Sequence, residues 1–272
     1  MATQLLIYET AVPVSAARHR DASVEVSADY AFASNVNSVP LMAVEFPHAA
    51  PEYAVVFAGA QDAVMPAVIL GMRGNENLYL AHGKWSAKYI PAFLRRYPFI
   101  FSTLDEGKSF VLCVDEAFPG FNRRGSGQRL IGENGKATPY VENVLKFLQE
   151  YQAQFNRTKE FCRKVKELDL LEPMQAQIDM ASGERLSLSG FWAVNRAKLK
   201  ALSGEKLAEL ARTDELELLY AHLQSMRNFN LLRERLVVVE GGKAQVAPAA
   251  EAAAANAKAP GGNKPAKRVA GD

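Results

Sequence analysis

The hydrophobic pattern divides the chain into a β-rich first part and a helical second part. From residue 39 onwards, short runs of Val, Leu, Ile, Phe and Tyr alternate with Pro, Gly and Asn, which is typical of strands joined by turns. The predicted strands are 39–46, 53–58, 67–72, 78–81 and 109–115. Because the connections are too short for crossover helices, the pattern predicts an antiparallel meander.

One aromatic segment, residues 89–99, interrupts this pattern. Pro91 suits the first position of a helix, and Pro98 keeps the residue before it out of the helical region. The segment therefore predicts one to two helical turns between two prolines. Its apolar residues fall on one face, and Arg95 and Arg96 fall largely off that face.

The strongest periodic signal begins at Thr138 and Pro139, which are typical of a helix N-cap and first position. Apolar residues then recur at spacings of three and four as far as Val165, and Pro173 ends the pattern. A small hairpin is predicted over 174–194, followed by short helices at 196–202, 205–212 and 215–228. The prediction is an α+β fold, with a β-rich part at 1–137 and a helical part at 138–240 packed on it.

Residues 241–272 differ in composition from the rest, since they consist mainly of Ala, Pro, Gly and Lys with no aromatic residue. This tail is predicted to be disordered because it offers too little apolar surface to offset ordering. The chain of 272 residues has a net charge of +2, and the tail holds five basic and two acidic side chains, which leaves −1 for the preceding part. A nearly neutral body disfavours nucleic-acid binding.

The sequence contains no pattern that indicates catalysis, a cofactor or a metal site. The four histidines and two cysteines lack metal-ligand spacing, and Cys113 and Cys162 are interpreted as buried apolar residues. His222 is interpreted as a helix-surface or packing histidine, and Asp115 with Glu116 as a solvated strand end. The Gly-Lys at 135–136 lacks the other residues of a phosphate-binding loop. No catalytic residue, cofactor or metal is therefore assigned, and the prediction leans away from an enzyme.

The best candidate for a binding surface is the polar edge of segment 89–99, comprising Tyr89, Arg95, Arg96 and Tyr97. Guanidinium groups suit carboxylate or phosphate ligands, and a later loop adds three more arginines at 123, 124 and 129. The alternative is that the aromatic residues belong to the core and that the arginines are solvated or paired with acids.

The chain is predicted to be water-soluble and cytoplasmic. The N-terminus lacks the basic region of a signal peptide, and the longest apolar runs are far shorter than the roughly 20 residues of a membrane span. Export by a route without a signal remains an alternative.

Several segments within about residues 9–236 carry a family resemblance. The most specific is Tyr89-Ile90-Pro91-Ala92-Phe93-Leu94-Arg95-Arg96-Tyr97-Pro98-Phe99; the others are Val12-Pro13-Val14, Arg18-His19-Arg20-Asp21, Tyr30-Ala31-Phe32-Ala33, Asn37-Ser38-Val39-Pro40-Leu41, Glu45-Phe46-Pro47, Gly74-Asn75-Glu76-Asn77-Leu78, Thr138-Pro139-Tyr140 and Tyr220-Ala221-His222-Leu223 with Asn228. Together these segments resemble the SapC family of bacterial proteins. The resemblance implies association with the cell envelope or surface layer, or with TonB-dependent receptor systems, and it supplies no catalytic residues. A peptide-transporter permease shares the name, and the short apolar runs exclude that role.

Three functional hypotheses follow. The first is a non-enzymatic accessory protein that binds a protein partner in those systems. The second is an enzyme acting on a small anionic substrate, with Arg95, Arg96 and a carboxylate such as Glu45 in one cleft. The third, nucleic-acid binding through the basic tail, is the least favoured because it depends on residues 241–272 alone.

Overall fold

The structure is a computed structural model that describes residues 6–60, 63–104, 109–180 and 183–239. The predicted disordered tail, 241–272, lies outside the described residues. The chain divides into two compact units, Met1–Arg233 and Glu234–Asp272. In the second unit the described residues, 234–239, are helical.

The first unit contains antiparallel sheets, one long helix and several short helices, which confirms the predicted α+β class. The strands are β1 Ala11–Pro13, β2 Ser23–Val24, β3 Ser38–Pro40, β4 Ala54–Ala58, β5 Met65–Ile69, β6 Leu80–Ala81, β7 Lys84–Trp85, β8 Phe99–Leu104, β9 Ser109–Asp115, β10 Phe121–Asn122, β11 Gln128–Arg129, β12 Leu171–Asp179 and β13 Arg185–Val194. The α-helices are α1 Ala16–His19, α2 Phe46–Ala49, α3 Ala92–Arg95, α4 Pro139–Glu167, α5 Arg196–Lys200, α6 Gly204–Arg212 and α7 Glu215–Ser225. Short 3₁₀ turns cover Ala31–Ala33, Ala43–Glu45 and Met226–Asn228.

The largest sheet has the strand order β12-β13-β4-β5-β3. The predicted hairpin is present as β12 and β13, and it extends this sheet because Phe191 and Trp192 of β13 pair with Ala58 and Phe57 of β4. The strands are antiparallel as predicted, but their order is not a meander, since β3 pairs with β5 rather than with β4. Strand β4 is apolar throughout and nearly fully buried, which is the pattern of a central strand covered on both faces.

Helix α4 packs against a second sheet of order β1-β9-β8. Its Val141 and Leu148 share one buried cluster with Phe99 of β8 and Val114 of β9. The predicted N-cap is confirmed, because the Thr138 hydroxyl accepts a hydrogen bond from the backbone N–H of Val141. The helix ends at Glu167, earlier than Pro173, and the chain turns at Asp169 in a left-handed conformation (φ 52°) before β12.

The predicted strand 39–46 is wrong beyond residue 40. The chain instead forms the 3₁₀ turn Ala43–Glu45, which leads into α2. Two features favour the turn: Pro47 lies in the first turn of α2, and the Glu45 side chain accepts a hydrogen bond from the backbone N–H of Met42. The turn removes Glu45 from the alternating strand pattern and places it in the interior, where it is 3% exposed.

His222 of α7 joins the helix to two strands of the large sheet. It is fully buried, its Nε2 accepts a hydrogen bond from the backbone N–H of Val194 (3.0 Å), and its protonated Nδ1 donates to the carbonyl of Val55 (2.8 Å). The structure thus favours the packing interpretation over a helix-surface position. Burial lowers the pKa of His222 to about 4, so the neutral ring that this bonding pattern requires is the stable form.

We predict that His222 makes the fold sensitive to mild acid. The pKa of His222 in the folded chain lies below its value of about 6.5 in the unfolded chain, so the unfolded chain binds a proton first as the pH falls. The contribution of the neutral His222 to the free energy of unfolding is therefore complete above pH 6.5. It is lost as the pH falls towards 4, by about 3 kcal/mol in total. Urea unfolding of His222→Gln over this range should show a smaller decrease in the free energy of unfolding than the wild-type chain. The matched control is His48→Gln, an exposed histidine; equal pH dependence of the two variants would contradict the assignment.

Candidate functional site

Helix α3 is the centre of the aromatic segment and forms a single turn. Ala92, Phe93 and Leu94 are buried, whereas Arg95 is exposed and Arg96 is half-buried. Pro91 is the N-cap residue of this turn, one position earlier than predicted. The segment thus contributes its apolar face to the core and leaves its two arginines at the rim.

The carboxylate of Glu45 holds the start of α3. One oxygen, Oε1, accepts hydrogen bonds from the backbone N–H of Ala92 (2.8 Å) and from the hydroxyl of Tyr89 (2.7 Å). The other, Oε2, accepts from the backbone N–H of Met42 (2.7 Å). Charge-assisted hydrogen bonds of this kind are about twice as strong as neutral ones, so Glu45 ties the 3₁₀ turn, Tyr89 and α3 into one unit.

Arg95 lies over two aromatic rings. Its guanidinium carbon is 5.7 Å from the centre of the Tyr89 ring and 5.5 Å from the centre of the Phe147 ring of α4. Its Nε donates to the carbonyl of Ile90 (2.9 Å), and Nη2 lies 3.4 Å from the Tyr89 hydroxyl. Burial and the Glu45 carboxylate raise the pKa of Tyr89, so its phenol is neutral and donates to Glu45.

Arg96 stacks on rings on the other side of α3. Its guanidinium carbon is 4.4 Å from the ring centre of Phe93, 4.7 Å from that of Tyr151 and 5.6 Å from that of Tyr8. Its Nε is buried and has no hydrogen-bond partner among the described residues. Burial raises the pKa of Tyr151 to about 12, so this ring is neutral beside the cation.

Tyr97 belongs to the packed interior more than to the rim. Its ring contacts Tyr8 and Phe32, with centre-to-centre distances of 5.2 Å and 4.3 Å, and its hydroxyl lies 3.4 Å from Oδ2 of Asp115. Asp115 is fully buried and accepts hydrogen bonds from the backbone N–H groups of Glu9 and Thr10. The expectation of a solvated strand end is therefore wrong for Asp115, because its carboxylate fixes the segment that precedes β1.

The structure separates the four predicted site residues into two neighbouring groups. Tyr89 and Arg95 are in contact with each other, whereas Arg96 and Tyr97 both contact Tyr8. We define the arginine cluster as the two guanidinium groups with the rings on which they lie: Arg95, Arg96, Tyr89, Phe93, Phe147 and Tyr151. Phe147 and Tyr151 were not among the residues predicted for this surface, although their spacing of four residues places them on one face of α4.

Two of the three loop arginines, in contrast, are paired with acids, whereas Arg129 donates to the backbone carbonyl of Arg20. Arg123 forms a salt bridge with Asp21, and its other nitrogen is 3.7 Å from Glu116. Arg124 lies 3.8 Å from Glu25. Their charges are compensated, so the alternative interpretation, arginines paired with acids, applies to these two residues.

An open depression adjoins the arginine cluster at Tyr89. It has a volume of about 530 Å³ and is lined by Pro47, His48, Pro51, Glu52, Lys88 and Tyr89. The His48 ring stacks on the Tyr89 ring (5.5 Å between centres, 22° between planes). The Glu52 carboxylate accepts hydrogen bonds from the backbone N–H groups of Lys88 (3.0 Å) and Tyr89 (2.9 Å). We call this concavity the His48 depression.

The arrangement suits the binding of an anion better than it suits proton transfer. Both guanidinium groups lie against aromatic rings. Because Nε of Arg95 is bonded to the Ile90 carbonyl and Nε of Arg96 is buried, the terminal Nη groups are the donors that remain for a carboxylate or a phosphate. In the described part of the chain, no group of three or more His, Cys, Asp or Glu side chains is arranged to hold a metal ion.

We predict that Glu45 stabilises the site through its hydrogen bonds. Glu45→Gln replaces one acceptor oxygen with a donor NH₂ group and leaves a buried N–H or O–H unpaired, so the free energy of unfolding should fall by about 2 kcal/mol. Urea denaturation measures this change. Glu133→Gln, at an exposed loop position, is the matched control and should change the stability by less than about 0.5 kcal/mol. Equal effects of the two substitutions would contradict the role of Glu45.

Comparison with known proteins places the chain in one family. No helix in the described ranges combines the length and the apolar character that crossing a bilayer requires. Neither the curated proteins nor the solved structures include a significant match. A family model, SapC, matches residues 14–232, which include α3, the arginine cluster and the His48 depression. This chain therefore belongs to the SapC family.

Proposed function

We propose that this protein is a non-enzymatic accessory protein that binds a partner through the arginine cluster. The proposed setting is the cell envelope, in surface-layer or TonB-dependent receptor systems, as the resemblance to the family implies. One observation supports the binding role above all: neither Arg95 nor Arg96 has a carboxylate oxygen within 4.0 Å among the described residues, although both are held against aromatic rings. A cytoplasmic location remains a prediction, with export without a signal as its alternative.

A recognition surface for an anionic partner needs cations that are fixed in position and are not neutralised by a neighbouring acid. Holding a long side chain in one conformation reduces the entropy that binding would otherwise cost. The rings immobilise the guanidinium groups without neutralising them. By comparison, Arg163 of α4 is bound by Glu160 and Glu167 at once and has little charge to offer a partner.

The ionisable groups beside the arginines favour binding over catalysis. Glu45 is buried and already accepts three hydrogen bonds, so it is not free to take a proton from a ligand. Tyr89 is neutral and donates to Glu45. Both groups position α3 and the rings: Glu45 is buried, and the hydroxyl of Tyr89 is committed to the Glu45 carboxylate.

An enzyme acting on a small anionic substrate is the second candidate. One observation favours it: Arg95, Tyr89 and Glu45 form a hydrogen-bonded chain, so one arginine and the named carboxylate do converge. Arg96, the other arginine of that hypothesis, lies instead among Phe93, Tyr151 and Tyr8. The pair of arginines therefore does not close around one cleft with Glu45.

We predict that the double substitution Arg95→Gln with Arg96→Gln strongly reduces partner capture. The experiment is affinity purification of the tagged protein from native host cells after cross-linking, with quantitative mass spectrometry of the captured proteins. An envelope or receptor-associated partner should be captured by the wild-type chain and reduced at least about tenfold by the double variant, which corresponds to about 1.4 kcal/mol.

The matched control is Arg163→Gln, which removes an arginine already paired with acids and should leave capture unchanged. Circular dichroism establishes that the variants are folded. Undiminished capture by the folded double variant would disprove the role of the cluster, and a wild-type chain that captures no envelope or receptor-associated protein would disprove the proposed function.

A further inference from the structure

We propose that the His48 depression binds an acidic, extended segment of the partner polypeptide, with a partner carboxylate at Lys88. This inference rests on the proposed function, because the depression shares Tyr89 with the arginine cluster. It adds the chemistry of the partner and a second contact region that the arginine cluster alone does not supply.

Two cations, Lys88 and the neighbouring Arg95, lie at or next to the depression against one acid in its lining, Glu52, so their summed formal charge is +1. The side chains of Lys88 and His48 are exposed and form no ion pair or hydrogen bond within the described ranges. Arg95 adds a further cation at the Tyr89 ring. Glu52 is the acid that lines the depression, and its carboxylate is occupied by the backbone N–H groups of residues 88 and 89. A ligand that compensates these cations must bring its own negative charge.

The lining of the depression also suits a polypeptide chain. Pro47, Pro51 and the stacked rings of His48 and Tyr89 present rigid apolar surface, which costs little conformational entropy on binding. The concavity is open to solvent and so covers one side of a ligand. Enclosed pockets that bury most of the ligand surface are typical of small-molecule sites. An extended segment with alternating acidic and apolar side chains places charges at Lys88 and apolar groups on the rings.

The position of Tyr89 is fixed from three sides, which makes the depression a preformed surface. Its hydroxyl donates to Glu45, its backbone N–H donates to Glu52, and its ring stacks on His48. Arg95 lies over the same ring. A segment bound in the depression therefore lies next to Arg95, and its next acidic residue is placed to reach the arginine cluster.

The test uses fluorescence anisotropy with labelled peptides of about ten residues. One peptide alternates Glu with Phe, and its uncharged counterpart alternates Gln with Phe. The acidic peptide should bind the full chain at least about tenfold more tightly than the uncharged one. Lys88→Gln should weaken its binding about fivefold, and the matched control Lys206→Gln, an exposed lysine of α6, should leave it unchanged.

Three outcomes would overturn the inference. Equal binding of the two peptides would show that charge is not recognised. Equal binding by Lys88→Gln and the wild-type chain would show that the depression is not the site. Displacement of the peptide by free glutamate or inorganic phosphate at concentrations near that of the peptide would indicate a small anion as the ligand.

Failure of this inference is distinguishable from failure of the proposed function. If the acidic peptide does not bind while cross-linked capture still depends on Arg95 and Arg96, the inference is wrong and the proposed function stands. In the opposite case the acidic peptide binds and Lys88→Gln weakens its binding, but the folded double variant at Arg95 and Arg96 captures the partner as the wild-type chain does. The depression is then an acidic-peptide site, and the proposed role of the arginine cluster is wrong.

Discussion

The buried carboxylate of Glu45 is the contact on which the candidate site depends. It connects residues that are distant in sequence, since the backbone N–H groups of Met42 and Ala92 and the hydroxyl of Tyr89 all donate to it. A buried carboxylate is stable only when such donors replace the water that it has lost. The three donors must therefore converge, and their convergence fixes where α3 begins and how its two arginines leave the core.

The rings around α3 then determine what the arginines offer. Phe147 and Tyr151 lie one helical turn apart on α4, and each supports one guanidinium group, Arg95 and Arg96 respectively. The rings hold the cations without neutralising them. Nε of Arg95 is bonded to Ile90 and Nε of Arg96 is buried, so the terminal Nη groups are the donors left for the proposed ligand. The same helix thus stabilises the fold with its apolar residues and presents the cations with its aromatic ones. A long packing helix can in this way contribute to the proposed binding surface.

Much of the fold was predictable because it depends on local signals. The N-cap at Thr138, the period of α4 and the hairpin that became β12 and β13 are each specified by nearby residues. The strand order was not predictable, since the pairing of β13 with β4 joins residues more than 130 positions apart. The interior position of Asp115 was missed for a related reason, because the backbone N–H groups of Glu9 and Thr10 that bind its carboxylate lie more than 100 positions away. The turn at Glu45 has local signals in Pro47 and the hydrogen bond from Met42, but the apolar residues of 39–46 also fit a strand.

The candidate site was predictable in residue type but not in arrangement. Tyr89, Arg95, Arg96 and Tyr97 were selected as one surface, yet Tyr97 packs against Phe32 and Tyr8 inside the protein. The two arginines are separated because the single turn of α3 directs them to different sets of rings. His48 and Lys88 gave no sequence signal, because neither belongs to a motif. Lys88 directly precedes Tyr89 in the chain, whereas the fold brings His48 to the Tyr89 ring.

The most direct test of the account is nuclear magnetic resonance of the arginine side chains during titration with the acidic peptide. The signals of Arg95 and Arg96, assigned with Arg→Lys variants, should shift and saturate together with binding, because these guanidinium groups are held in place and uncompensated. The signals of Arg163, which is bound by two glutamates, should not move. Signals of Arg95 and Arg96 that stay unchanged at saturating peptide, or shift no more than those of Arg163, would contradict the central claim.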